Sequence, residues 1–221
     1  MKLEAVIFDM DGVLVDTETV TFDQFKKILN KNNYQIEKEF YLTLIGKNQK
    51  MISEILTNHY GANYPYDKIS DELISQLNKL VDIKGVDVKK GVYELIDYLK
   101  DNNIKIAVAT SSKRERAEKV LSKIEILDKI NYVICGDEII NSKPDPEIFL
   151  KAANKLNVDS STCIVIEDSD AGIQAAYKAG MLPIHVPDMK ELDDENKHLP
   201  AFVKQDLLEV IEVIDNIIKS K

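Results

Sequence analysis

Residues 4–16 read Glu-Ala-Val-Ile-Phe-Asp-Met-Asp-Gly-Val-Leu-Val-Asp, and they constrain the fold more than any other stretch of the chain. A short run of apolar residues, rich in β-formers and bounded by turn residues, reads as a strand buried on both faces. This one stops abruptly at two carboxylates, Asp9 and Asp11, with Gly12 closing the turn. Charge at the carboxyl end of a buried strand falls where open α/β sheets collect their ligands. Two carboxylates so close repel each other, which calls for a cation or a shared proton. An acidic turn with two solvated aspartates is the alternative for this segment taken alone.

The rest of the chain changes pattern twice. Over residues 18–81 only helical periodicity is found: Phe25, Ile28 and Leu29 form one stripe, Met51, Ile52, Ile55 and Leu56 a second, and Ile69, Leu73, Ile74, Leu77 and Leu80 a third. Breaks fall at Asn32-Asn33, Gly46 and residues 61–65. From residue 86 onward, strand and helix patterns alternate, with strands expected at 104–109, 132–135, 163–166 and 183–186. A helix over 171–179 should end at Gly180, and a last helix should occupy 207–218. Continuous apolar strands alternating with helices predict an α/β fold, a doubly wound parallel sheet with helices on both faces. The strand at 5–8 belongs to that sheet by composition, yet its partners begin some eighty residues later. An all-helical insertion explains the gap, giving residues 1–16 and 84–221 to the sheet domain and 17–83 to the insertion.

Polar residues recur at each carboxyl strand end. After Asp9 and Asp11 come Thr110-Ser111-Ser112, then Lys143-Pro144-Asp145, then Glu167-Asp168-Ser169-Asp170. Singly, each has an ordinary explanation. The hydroxyls could cap a helix, Lys143 could be a surface lysine, and the acids could answer a helix dipole. Solvated charges need not recur at every strand end, so the conjunction points to a site. Asp9 and Asp168, with Glu167 as a further candidate, supply the hard oxygen ligands that Mg2+ takes alongside substrate phosphate oxygens. Thr110, helix-start N–H groups and Lys143 make an anion cradle. A carboxylate facing a phosphoryl group in such a cradle can act as nucleophile, and Asp11 is placed to serve as acid and then base.

These segments resemble the haloacid dehalogenase-like superfamily in its phosphatase and phosphohexomutase branch. The motifs that carry the likeness are Asp9-Met10-Asp11-Gly12-Val13, Thr110 after an apolar strand, Lys143 in Ser-Lys-Pro-Asp-Pro, and Glu167-Asp168-Ser169 followed by Ala171-Gly172. The resemblance implies a Rossmann-like core with a mobile helical cap at 17–83. It further implies an aspartyl-phosphate on Asp9, acid/base work by Asp11, phosphate binding by Thr110 and Lys143, and Mg2+ held by Asp9, the Asp11 carbonyl and Asp168. Glu167 is either a direct ligand or acts through one. Two aspartates at 9 and 11 speak against dehalogenation. Ser112 and Lys113 match the pattern with which β-phosphoglucomutases bind a distal phosphate, and Ser111, Gly46 and Lys47 are further substrate-binding candidates. Against a mutase, Gln49 stands where that enzyme carries a cap arginine, and Thr21 where many relatives carry a histidine. Arg114 could restore some of the lost charge or could lie on a solvated helix face.

The expected function is therefore hydrolysis of a small phosphorylated metabolite, a sugar phosphate, with Mg2+ as cofactor. The alternatives are a β-phosphoglucomutase and a non-catalytic protein that binds a phosphorylated ligand. A net charge of −9 and the lack of a long basic run argue against nucleic acid or an anionic membrane as partner. Cys135 and Cys163 sit in apolar runs as reduced core residues. Met1-Lys2 lead directly into the first strand without a signal-peptide pattern, so a cytoplasmic monomer is expected.

Overall fold

The computed structural model describes residues 2–45, 47 and 49–220, and of residues 82–84 only the backbone. The chain divides into two compact units, Met1–Asp16 with Val86–Lys221, and Thr17–Gly85.

The first unit is a parallel α/β structure. In chain order, β1 (Ala5–Phe8) is followed, after the helical unit, by α5 (Val92–Asp101), β2 (Lys105–Ala109), α6 (Arg114–Lys123), β3 (Tyr132–Ile134), α7 (Glu147–Leu156), β4 (Cys163–Glu167), α8 (Asp170–Lys178), β5 (Leu182–His185), β6 (Phe202–Val203) and α9 (Leu207–Lys219); the numbers α1–α4 belong to the helical unit. Among the described residues the strands form one sheet in the order β3-β2-β1-β4-β5-β6, parallel throughout. Every residue of β1 is buried, because alternate side chains enter two different cores. Ala5, Ile7, Ala107, Cys163 and Val165 pack with Ile148, Phe149 and Ala152 of α7 and Ala175 and Ala176 of α8. Val6, Phe8, Ile106, Val108, Ile164 and Ile166 point the other way and are equally buried, and α5 packs on both β2 and α9. Full burial of a side chain such as Ile7 contributes about 1.5–3 kcal/mol. That double burial is why the strand carries no polar residue until Asp9.

Local signals set the helix ends. Asp206 caps α9 by accepting from the N–H groups of Leu208 and Glu209 at 3.0 and 3.1 Å. At the end of α8, Gly180 N–H donates to Tyr177 O and Met181 N–H to Ala176 O, the paired bonds of a Schellman turn. One strand escaped the sequence reading. The two residues of β6 are both exposed, so a short edge strand beside β5 leaves no burial pattern to read. The last strand of the sheet is therefore this one, not the segment expected at 183–186.

The helical unit consists of α1 (Glu18–Lys31), α2 (Lys38–Leu42), α3 (Gln49–Tyr60) and α4 (Tyr66–Lys84). Phe25, Ile28 and Leu29 are buried as expected, but in α3 only Leu56 is, and in α4 only Ile69 among the residues whose side chains are described. Met51 and Ile74, assigned to buried stripes from the sequence, are 43% and 46% exposed. Aromatic packing carries much of the rest: Tyr34 meets Tyr60 and Tyr64 edge-on, and Phe40 stacks on His59.

Candidate active site

The strand order places β1 between β2 and β4, where the sheet's connections run off in opposite directions. Ligands in open α/β sheets bind at such a switch point, beyond the carboxyl ends of the strands. Phe8 is in register with Val108 of β2 and Ile166 of β4. The next residues along, Asp9, Ala109 and Glu167, therefore lie side by side. Asp9 N–H donates to Ile166 O at 3.0 Å, which fixes the strand end.

Lys143 reaches into this edge from the segment between β3 and α7. Its ammonium donates to Asp9 Oδ1, to Glu167 Oε1 at 2.7 Å and to Ala109 O at 3.1 Å. Those bonds match the three donors of a lysine. The ring centroid of Phe149 lies 5.0 Å away. The Lys143 side chain is 7% exposed. Such burial by itself lowers the affinity of a lysine for its proton. The Asp9 and Glu167 carboxylates more than reverse this, and Lys143 lies above the ordinary lysine range. For Asp9 burial dominates and pushes the carboxyl up to about 7, against the pull of Lys143 and with Glu167 and Asp11 adding to the rise.

Glu167 is 1% exposed. Its Oε2 accepts from the N–H groups of Asp168 and Ser169, each at 3.0 Å, and from Ser169 Oγ at 2.9 Å. One carboxylate thus anchors Lys143 with one oxygen and the turn after β4 with the other. Gly172 makes room for it, since a Cβ at that position would fall on the Glu167 carboxyl group. Ser169 caps α8 by accepting from Gly172 N–H at 3.1 Å. The Asp168 carboxyl lies against Gly12, whose φ of +86° is open chiefly to glycine. A Cβ there would stand 2.7 Å from Asp168 Cγ. The turn after Asp9 and the turn after β4 therefore meet at these two residues.

Thr110 follows β2 and is almost fully buried. Its N–H donates to Ile134 O, and its hydroxyl oxygen accepts from Ser112 N–H at 3.0 Å. Ser112 Oγ donates to Asp11 Oδ2 at 2.9 Å. Asp11 also receives the guanidinium of Arg116, Nη2 to Oδ1 at 2.8 Å and Nη1 to Oδ2 at 2.9 Å. Ser111 and Lys113 are exposed at the rim, Lys113 as the residue preceding α6.

The structure thus joins Asp9, Lys143 and Glu167 in one hydrogen-bonded group, Asp11 with Ser112 in another, and Asp168 with Gly12. The residue that sequence reading missed is Arg116, which was passed over for Arg114. Arg114 is held by Glu118, Glu138 and the carbonyl of Val133 instead. Position in the sequence gave little signal, because Ser112 lies four residues before Arg116 but outside α6, which begins at Arg114. Lys47 belongs to the helical unit, where it lines a cavity of about 260 Å³ with Thr21, Gln49 and Tyr64. Gly46 lies outside the described residues. Cys135 is buried, with its thiol pushed up to about 11 by desolvation. It lies near Asp137 and Glu138, but Glu138 is bonded to Cys135 N–H and to Arg114, a loop staple.

Carboxylate and carbonyl oxygens from Asp9, Asp168 and the Asp11 main chain fit a hard divalent cation such as Mg2+. Among the described residues no helix is long and apolar enough to cross a membrane.

Comparison with known proteins agrees with this geometry. The chain is 30% identical over 183 residues to a phosphorylated carbohydrates phosphatase of Thermotoga maritima, covering 83% of this chain and 84% of that one. It is 33% identical over 190 residues to the β-phosphoglucomutase of Bacillus subtilis, covering 83% of each. The crystal structure of β-phosphoglucomutase from Clostridium difficile superposes with a TM-score of 0.78 at 30% identity, over 99% of this chain and all of that one. The family profile of haloacid dehalogenase-like hydrolases matches residues 6–186, and with the sheet order and the strand-end residues described above the chain belongs to that family.

Proposed function

We propose that this protein is a Mg2+-dependent phosphatase that hydrolyses a small phosphorylated metabolite, a sugar phosphate, through an aspartyl-phosphate on Asp9. The observation that carries this reading is Lys143, buried and donating to both Asp9 and Glu167 at the switch point of the sheet. A cation fixed there neutralises an incoming phosphoryl group and aligns the carboxylate that attacks it.

In the first step an Asp9 carboxylate oxygen attacks phosphorus and the ester P–O bond breaks, while Asp11 gives a proton to the departing oxygen. In the second, Asp11 takes a proton from the water whose oxygen attacks phosphorus. The bond from phosphorus to Asp9 then breaks, restoring the carboxylate and releasing inorganic phosphate. Thr110 is the donor to a phosphoryl oxygen, since its hydroxyl accepts from Ser112 N–H and keeps its own proton to give. Asp9, Asp168 and the carbonyl of Asp11 would hold Mg2+, which when bound supplies positive charge against the phosphoryl oxygens. Glu167, with both oxygens bonded to protein donors, acts by holding Lys143 and the Asp168 backbone. Ser111, Ser112 and Lys113 are assigned to the part of the substrate beyond the reacting phosphate. The likeness to a phosphatase of phosphorylated carbohydrates supports a sugar phosphate.

A panel of phosphorylated metabolites assayed for phosphate release with Mg2+, and again after chelation, tests the proposal. Turnover should depend on the metal, and Asp168→Ala should weaken Mg2+ binding in calorimetry. Phosphate release that persists in rigorously metal-free protein would refute the metal assignment. Accumulation of glucose 6-phosphate from β-glucose 1-phosphate, with little free phosphate, would replace the phosphatase with a mutase.

A further inference from the structure

Of the chain's three histidines only His185 is buried, at 1% exposure. It is the last residue of β5 and the register partner of Glu167 in β4. Hydrolysis as written has no task for it. An imidazole is costly to bury at a strand end that valine or isoleucine would fill, unless its ring finds a polar partner. His185 Nε2 lies 3.1 Å from the backbone carbonyl oxygen of Asp168. A carbonyl only accepts, so the proton of this bond sits on Nε2.

The bond completes a set around Asp168. Four polar main-chain groups belong to the two peptides that flank its Cα. The N–H groups of Asp168 and Ser169 both donate to Glu167 Oε2 at 3.0 Å. The carbonyl of Glu167 accepts from Val186 N–H at 2.9 Å, and the carbonyl of Asp168 accepts from the imidazole. A peptide is a rigid plane, so pinning both planes fixes φ and ψ of Asp168 and the direction of its Cα–Cβ bond. His185 itself stands on a firm base, because Lys204 N–H, just past β6, donates to its carbonyl at 2.9 Å. Mg2+ demands near-ideal octahedral geometry at short distance, which makes the direction of a ligating carboxylate matter.

We propose that His185 is a positioning residue for Mg2+ binding: by holding the Asp168 carbonyl, it fixes the direction of the Asp168 carboxylate as a ligand of the cation. The inference rests on the metal assignment within the phosphatase reading. It extends the support of the metal site from β1 and β4 to β5.

Calorimetric titration of metal-free protein with Mg2+ alone, without substrate, tests this on wild type, His185→Leu, His185→Gln and His185→Asn. Gln carries an amide nitrogen at nearly the reach of Nε2, and Asn carries the same group one carbon short. His185→Leu should weaken Mg2+ binding by about tenfold or more, the scale of losing the partner of a metal ligand. His185→Gln should come back to within about threefold of wild type, and His185→Asn should not. Urea unfolding of the same samples reports the cost to the fold. If His185→Leu does not fold, the difference between the Gln and Asn variants carries the test. Loss of stability with unchanged Mg2+ affinity overturns the proposal, and so does an equal loss of affinity in all three variants, since the histidine would then only fill space. A second readout needs no metal. The nitrogen NMR shifts of the His185 ring should place a proton on Nε2, and a ring protonated on Nδ1 alone overturns the proposal while leaving the metal assignment standing. Wild type that takes up no Mg2+ removes that assignment, and the proposal with it.

Discussion

The two units bury their apolar residues in different ways. In the sheet unit, Ile7, Ile106, Val165 and Phe149 are completely inaccessible, and consecutive residues of β1 feed two separate cores. In the helical unit, long helices bury few side chains fully. A cavity of about 260 Å³ lies among Phe25, Leu44, Ile52, Leu56 and Ile69. The Tyr64 hydroxyl that borders it is buried without a hydrogen-bond partner among the described residues, and desolvation lifts its pKa above the usual tyrosine range. Close packing holds side chains in single positions, whereas a loosely filled unit is free to rearrange. The groups assigned to chemistry, Asp9, Lys143 and Glu167, hang from the first kind of structure. That is where positional precision is worth most.

The sharpest test of this contrast separates chemistry from stability inside the sheet unit. Asp9→Asn should lower kcat by about 10³-fold or more, because an amide does not replace a carboxylate nucleophile. Its fold, followed by circular dichroism, should remain intact. Activity within about tenfold of wild type would remove Asp9 from its role. Next in size is Gly172→Ala. The added carbon collides with the Glu167 carboxyl group, and relieving that clash should cost about 3 kcal/mol while displacing Lys143. A variant with wild-type stability and rate would show that Glu167 is not tightly held.

A matched pair of truncations compares the units directly. Leu95→Ala in α5 opens a hole in a filled core and should cost about 4 kcal/mol, whereas Leu56→Ala in α3 enlarges an existing cavity and should cost about 2 kcal/mol. Both leucines are buried to the same degree, so packing and not exposure decides the difference. Urea unfolding with hydrogen exchange resolved by unit would measure both, and equal losses would break the comparison. The smallest effect concerns the thiols. Cys135 and Cys163 both belong to the sheet unit, are inaccessible, and have pKa values pushed to about 11 by desolvation. At pH 8 they should label with a disulfide reagent only through opening of that unit, more slowly than amides of α3 and α4 exchange. Labelling at the rate of an exposed thiol would contradict the packing described here.

What the sequence disclosed follows from the same contrast. Strands β1, β2 and β4 were legible because burial on both faces leaves an unbroken apolar run, and a carboxylate after such a run stands out. The two-residue β6 and the exposed positions Met51 and Ile74 were not. An edge strand in solvent has no burial pattern, and helical periodicity marks a face without saying whether anything covers it. Glu167 and Lys143 were found as strand-end charges, but their mutual bond spans 24 residues and only the fold creates it. Arg116 was hidden for a similar reason. An arginine amid Lys113, Arg114, Glu115 and Glu118 reads as a solvated helix, and its partner Asp11 lies 105 residues earlier.

The placement of β1 also bears on how the molecule comes into being. Its neighbours in the sheet are β2, about a hundred residues downstream, and β4, more than a hundred and fifty. At roughly 5–20 residues per second of translation, the strand that carries Asp9 waits on the order of 8–30 s for its second partner. Throughout that interval Ala5–Phe8, buried on both sides in the finished sheet, has at most β2 beside it. The contacts of Thr17–Gly85 lie close together in sequence and can form in the meantime. A nascent chain stalled before Cys163 would therefore hold a finished helical unit and a nucleophile strand open along its β4 edge, the species a chaperone would be expected to grasp.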